Sequence, residues 1–76
     1  MKFVVIGSGG REHALCWKIV QSPLVSEVVA IPGNPGTASE SNVRNRAVPL
    51  DDIDALFAAI LEERPELVIV GPEAPL

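Results

Sequence analysis

The chain is poor in the residues that carry most protein chemistry: one cysteine, one histidine, one tryptophan, two phenylalanines and no tyrosine in 76 residues. A single cysteine, Cys16, excludes an internal disulfide and a cysteine zinc cluster, and it fits a reducing cytoplasm. Apolar runs such as Phe3-Val4-Val5-Ile6 are too short for a signal-peptide core or a membrane span. Positive charge is scarce as well, with six Lys and Arg against ten Asp and Glu and a net charge of -4. That sign is wrong for a domain that holds nucleic acid by neutralising phosphates. No internal repeat or low-complexity stretch is present, and the seven prolines fall at breaks between apolar segments.

What remains is a globular composition, 47% hydrophobic and 21% charged, of a size that allows one small domain. A chain this short buries only roughly 60% of its unfolded surface, so its stability is marginal unless something packs on it. Charge is unevenly divided. Residues 1–50 carry a balance of +2 and residues 51–76 a balance of -6. A small anionic ligand is therefore expected to sit with the first half.

Lys2 to Ile6 is a β-branched and aromatic run that ends in Gly7-Ser8-Gly9-Gly10, the pattern of a buried strand in a parallel sheet. Helix formers follow from Arg11 to about Gln21, with Leu15/Ile19 and Cys16/Val20 at helical spacing, until Ser22-Pro23 stops the helix. Val28-Val29-Ala30-Ile31 reads as a second strand, closed by the rigid loop Pro32-Gly33-Asn34-Pro35-Gly36. Between Thr37 and Pro49 only Ala47-Val48 suggests a short strand. Asp51 is placed to cap a helix, with Asp54 in a capping-box position, and Ile53, Leu56, Phe57, Ile60 and Leu61 mark one apolar face. Arg64-Pro65 ends that helix, and Leu67-Val68-Ile69-Val70 forms the last strand before Gly71-Pro72-Glu73-Ala74-Pro75-Leu76. Alternating strands and helices predict an α/β fold: a small parallel sheet of three or four strands with flanking helices and right-handed crossovers. The loops after its strands must then gather at the carboxyl edge, where open sheets of this kind bind ligands.

Gly7-Ser8-Gly9-Gly10-Arg11 places small residues between strand and helix. Amides from Gly9 to Arg11 are thereby expected to face an anion, and the Arg11 guanidinium matches phosphate oxygens. The bland alternative is a tight turn with no ligand. A dinucleotide site is disfavoured twice: Glu12 stands where the fingerprint needs a third Gly or Ala, and Ile31 is followed by Pro-Gly-Asn-Pro-Gly instead of a ribose-binding acid. No P-loop motif occurs. His13, in the first turn of its helix, is expected to support the site from behind, and Trp17 and Cys16 to pack against the sheet or a further domain. Asn34 and Thr37 offer an amide and a hydroxyl from the stiffened loop, and Glu73 offers a carboxylate for hydroxyl or amine donors. Together these groups describe a sugar-phosphate pocket. No nucleophile beside a base, carboxylate pair or metal-ligand cluster is visible, so no catalytic residue and no metal site are assigned.

Three motifs, Ile6-Gly7-Ser8-Gly9-Gly10-Arg11-Glu12-His13-Ala14-Leu15, Pro32-Gly33-Asn34-Pro35-Gly36-Thr37 and Val70-Gly71-Pro72-Glu73-Ala74-Pro75-Leu76, closely resemble in order and spacing the amino-terminal domain of the phosphoribosylamine–glycine ligases, of the ATP-grasp superfamily. The likeness spans essentially all of residues 1–76; one departure is Pro35, where the family pattern more often has Ala. It implies a Rossmann-like domain preceding ATP-grasp domains, truncated here, in an enzyme of purine biosynthesis. There ATP phosphorylates the glycine carboxylate, and the amine of 5-phosphoribosylamine attacks the acyl phosphate to give an amide. Magnesium and ATP would be held by the ATP-grasp domains, with none bound by this segment. Carried over by position, Gly9, Gly10 and Arg11 would hold the 5'-phosphate, while Asn34, Gly36, Thr37 and Glu73 would border the ribose and its amine. The expected partners are phosphoribosylamine, glycine and the rest of the polypeptide, the expected location is cytoplasmic, and the segment alone is expected to be inactive. The rival reading is a free-standing phosphate- or nucleotide-binding module; a dinucleotide-dependent oxidoreductase fragment is a weaker third.

Overall fold

In a computed structural model that describes residues 1–71, the elements alternate as β1 (Lys2–Gly7), α1 (Gly10–Ile19), β2 (Glu27–Pro32), α2 (Pro35–Ala38), β3 (Val43–Asn45), α3 (Ile53–Glu63) and β4 (Leu67–Val70). The four strands are all parallel in the order β3-β2-β1-β4. No described helix is long and apolar enough to cross a membrane.

Each strand divides its apolar residues between two faces, because successive side chains alternate across a sheet. Val4, Ile6, Val29 and Ile31 lie in a core cluster with Ala55, Leu56, Ala59 and Ile60 of α3. Val5, Val28, Ala30 and Val43 lie in a second cluster with Leu15, Cys16 and Ile19 of α1. A helix on each face explains why the two central strands, β1 and β2, are continuous apolar runs rather than alternating ones.

The third strand is not Ala47-Val48. Val43–Asn45 pairs with Val28–Ala30 instead, and Val48 is a buried loop residue in the α3-side core. A polar edge strand, Val-Arg-Asn, carries almost no periodic signal of its own. The cap of α3 is Asp52 rather than Asp51: its side chain accepts from the Ala55 amide at 3.1 Å, and its own amide closes a turn onto the Pro49 carbonyl at 3.2 Å. Arg64 ends α3 in the left-handed region at φ 51°, consistent with the proline that follows it.

The buried face of α3 also differs from the expected one. Ala55, Leu56, Ala59 and Ile60 face the sheet, while Ile53, Phe57 and Leu61 are each more than 60% exposed. The helix is apolar over most of its circumference, and the small alanines let its axis come close to the sheet. Trp17 likewise does not pack on the sheet; it stands half exposed on the outer side of α1.

Candidate functional site

Strand β1 is joined through α1 to β2 on one side, and its other neighbour, β4, is reached through α3 on the opposite face. The carboxyl ends of β1 and β4 therefore flank the point where the winding of the sheet reverses, the place where open α/β sheets hold ligands. A crevice of about 480 Å³ opens there, lined by Ile6, Gly7, Ser8, Val70 and Gly71 with Leu50 and Leu56. Its volume suits a small ligand. Among the described residues Ser8 supplies its one polar side chain.

The first two loops expected at this edge converge, and Gly71, the one described residue of the third, joins them. The Gly71 amide donates to the Ile6 carbonyl at 2.7 Å and the Gly33 amide to the Gly7 carbonyl at 3.1 Å. Asn34 ties the second loop to the first, donating from Nδ2 to the Ser8 carbonyl at 2.8 Å and the Gly9 carbonyl at 3.1 Å. Glu73 lies outside the described residues.

The amide of Gly9, expected to face a ligand, is instead taken by Glu12, whose Oε1 accepts from it at 2.8 Å. Glu12 is fully buried and caps α1 from within. Its carboxylate sits against Gly7: a methyl group there would lie 2.3 Å from Glu12 Cγ, and Gly7 has a φ of +148°. Glycine is required on both counts. Gly10 and Arg11 are exposed, no described residue accepts from their amides, and the Arg11 side chain pairs with no described carboxylate. These amides of the first helical turn, with the guanidinium, are the donors left for an anion.

The Asn34–Thr37 segment is more ordered than a plain turn. Asn34 is the N-cap of α2: its Oδ1 accepts from the Thr37 amide at 2.9 Å, and its own amide donates to Thr37 Oγ1 at 2.8 Å. Thr37 is completely buried, and its hydroxyl lies 2.7 Å from Asn45 Oδ1. Both side chains build the loop, and neither lines the crevice. Gly36 packs on the ring of His13, where a methyl would come within 2.5 Å of Nδ1. His13 Nε2 meets Glu40 Oε2 at 2.8 Å, which ties α1 to the segment after α2.

Three of the five basic residues of the first half lie away from this edge. Lys2, Arg44 and Arg46 converge on Glu63 at the end of α3, with contacts of 2.8, 2.7 and 2.9 Å. These partners hold the Glu63 carboxyl well below the usual carboxylate range, Arg44 first and then Lys2, against the opposing effect of burial. Arg44 also pairs with Glu27, and Arg46 with Glu62. This cluster leaves Arg11 as the basic group of the glycine loop. Sequence reasoning missed Ser8 and Glu12. The polar Ser8 between two glycines was a usable signal, and so was an acid at the third fingerprint position.

Comparison with known proteins supports a family assignment. The family described as "Phosphoribosylglycinamide synthetase, N domain" matches residues 1–76. A phosphoribosylamine–glycine ligase of Xanthomonas campestris is 59% identical over 76 residues, covering 100% of this chain and 18% of the relative. Relatives of the same name from Salmonella typhimurium and Xylella fastidiosa are 57% and 53% identical over the same length, with 18% and 17% of those proteins covered. The chain thus spans less than a fifth of the proteins it matches.

Proposed function

The chain belongs to the phosphoribosylglycinamide synthetase N-domain family, and from that premise we propose that it is the substrate-binding front of a phosphoribosylamine–glycine ligase, a cytoplasmic enzyme of purine biosynthesis. The observation that carries this reading is the pair of amides at Gly10 and Arg11 that have no acceptor among the described residues, beside an exposed guanidinium, at the switch point of the sheet. An anionic ester held there is met by main-chain donors, the helix dipole and a planar cation at once.

In this reading the 5'-phosphate of phosphoribosylamine is gripped by Gly10 and Arg11, and the ribose extends past Ser8 into the crevice toward Gly71. Asn34, Gly36 and Thr37 act by holding the second loop against Ser8 and Gly9, and Glu73 borders the ribose. Among the described residues no three Asp, Glu, His or Cys side chains come together as a metal site. In the same reading magnesium, ATP and the activation of glycine belong to ATP-grasp domains outside this chain, and no chemical step is routed through it.

The test is Arg11→Ala in the complete ligase. The KM for phosphoribosylamine should rise roughly 10- to 150-fold, the worth of one charge-assisted contact, while those for ATP and glycine stay unchanged. An equal rise for ATP would remove Arg11 from this role.

A further inference from the structure

The edge strand β3 is short and polar, yet its end is held from both faces. Arg44 and Arg46 turn to one face, where both reach Glu63 of α3. Asn45 turns to the other, as alternation along a strand requires, and lies against the second loop. The ladder fixes its height: Asn45 stands opposite Ala30, and the Arg46 amide donates to the Ala30 carbonyl at 2.9 Å.

With that loop Asn45 closes a ring of hydrogen bonds. Its Nδ2 donates to the Asn34 carbonyl at 2.9 Å, its Oδ1 accepts from the Thr37 hydroxyl at 2.7 Å, and Thr37 Oγ1 accepts from the Asn34 amide at 2.8 Å. Gly33, at φ +75°, makes room for it, since a methyl there would stand 2.2 Å from Asn45 Oδ1. The Asn34 backbone is thus held at both its N–H and its C=O. Its side chain, so placed, donates from Nδ2 to the Ser8 and Gly9 carbonyls. The Gly9 carbonyl and the Gly10 N–H are opposite ends of one planar peptide unit. A bond that fixes the carbonyl therefore sets the direction of the amide, and that amide is one of the donors assigned to the anion.

We propose that Asn45 is a positioning residue of the anion site, holding Asn34 against the glycine loop so that the Gly9–Gly10 peptide keeps its N–H turned to the ligand. The inference rests on the site reading above and adds to it a residue on the edge strand, with β2 standing between it and β1. It also gives the polar sequence of β3 a reason: the two arginines anchor the strand to α3 and aim Asn45 at the loop.

The experiment is Asn45→Ala in the full-length ligase. The KM for phosphoribosylamine should rise roughly 2- to 12-fold, the worth of one neutral hydrogen bond, with kcat and the KM values for ATP and glycine unchanged. A merely structural contact would lower the unfolding midpoint and the yield of active enzyme without this split. Asn34→Ala should raise the same KM, and the double variant should be no worse than Asn34→Ala alone, because Asn45 acts through Asn34. Should Asn45→Ala not fold, Asn45→Ser, which keeps a hydroxyl near Thr37 but is too short to span to the Asn34 carbonyl, is read for the same split. The proposal is overturned if the folded variant keeps its KM for phosphoribosylamine, if all three KM values rise together, or if the effects of the two single variants add in full. Arg11→Ala, measured alongside, separates the two readings: a shift there with none at Asn45 overturns this inference alone, and no shift at either removes the site reading and this inference with it.

Discussion

Gly7 and Glu12 are fitted to each other: the glutamate Cγ fills the space that a side chain on Gly7 would need, 2.3 Å from an ideal methyl position. Gly7→Ala should destabilise the domain by about 2–3 kcal/mol, combining the strain of a left-handed φ with displacement of the buried carboxylate. In a double-mutant cycle, Glu12→Ala should recover the steric part of that loss and leave the backbone part. Strict additivity in urea unfolding would show that the two residues do not share the space.

Glu63 is the centre of a six-residue charge cluster, with its side chain only 6% exposed. Its pKa is lowered in the folded chain, so its stabilisation is complete above the unfolded-state value and is lost as pH falls through the acid range. Glu63→Gln should cost about 2–3 kcal/mol at pH 7, less than a fully enclosed pair because the three cations keep partial contact with water. Unfolding midpoints of the variant should then change less than those of the parent from about pH 4.3 downward. A parallel acid dependence in both proteins would contradict this.

Cys16 is fully buried against the sheet, and its thiol pKa is pushed up to about 11, chiefly by burial and secondarily by Glu12 and Glu40. The neutral, enclosed thiol should resist iodoacetamide at pH 8 and react only through opening of the fold. Mass-spectrometric time courses should show alkylation accelerating with urea below the unfolding midpoint. Rapid modification under native conditions would mean that α1 lifts from the sheet far more easily than its packing implies.

Phe57 and Ala59 lie two residues apart on α3 with opposite environments, 62% and 1% exposed. In the isolated segment, Phe57→Gln should change stability by no more than about 0.5 kcal/mol, whereas Ala59→Leu should cost about 1–3 kcal/mol by overpacking. Thermal melts of the two variants separate the observed face of α3 from the one that apolar spacing alone suggests, where Phe57 would be buried.

The legible parts of the fold were those written in neighbouring residues. Phe3–Ile6 and Val28–Ile31 announced buried strands by composition, the glycines after Ile6 marked the loop, and Arg64-Pro65 marked a helix end. The resemblance of the three loop motifs was carried by short stretches in the same way. The candidate site was only half legible. The convergence of loops at the carboxyl edge followed from strand alternation, but the fates of Asn34 and Thr37 as builders of their own loop did not. An amide or hydroxyl reads the same in a sequence whether it faces a ligand or a carbonyl.

The sequence by itself determined the alternation of strands and helices, the parallel sense of the sheet and the glycine loop on the first helix, because hydrophobic period and turn chemistry act over a few adjacent residues. Tertiary structure decided that Val43–Asn45 forms the edge strand, which stripe of α3 meets the sheet, and where the charges go. A helix apolar on most sides takes its buried face from the surface it meets. Lys2, Arg44 and Arg46 found Glu63, and Glu12 was sealed behind Gly7 and Gly71, because long polar side chains settle against partners that only the folded chain brings within reach.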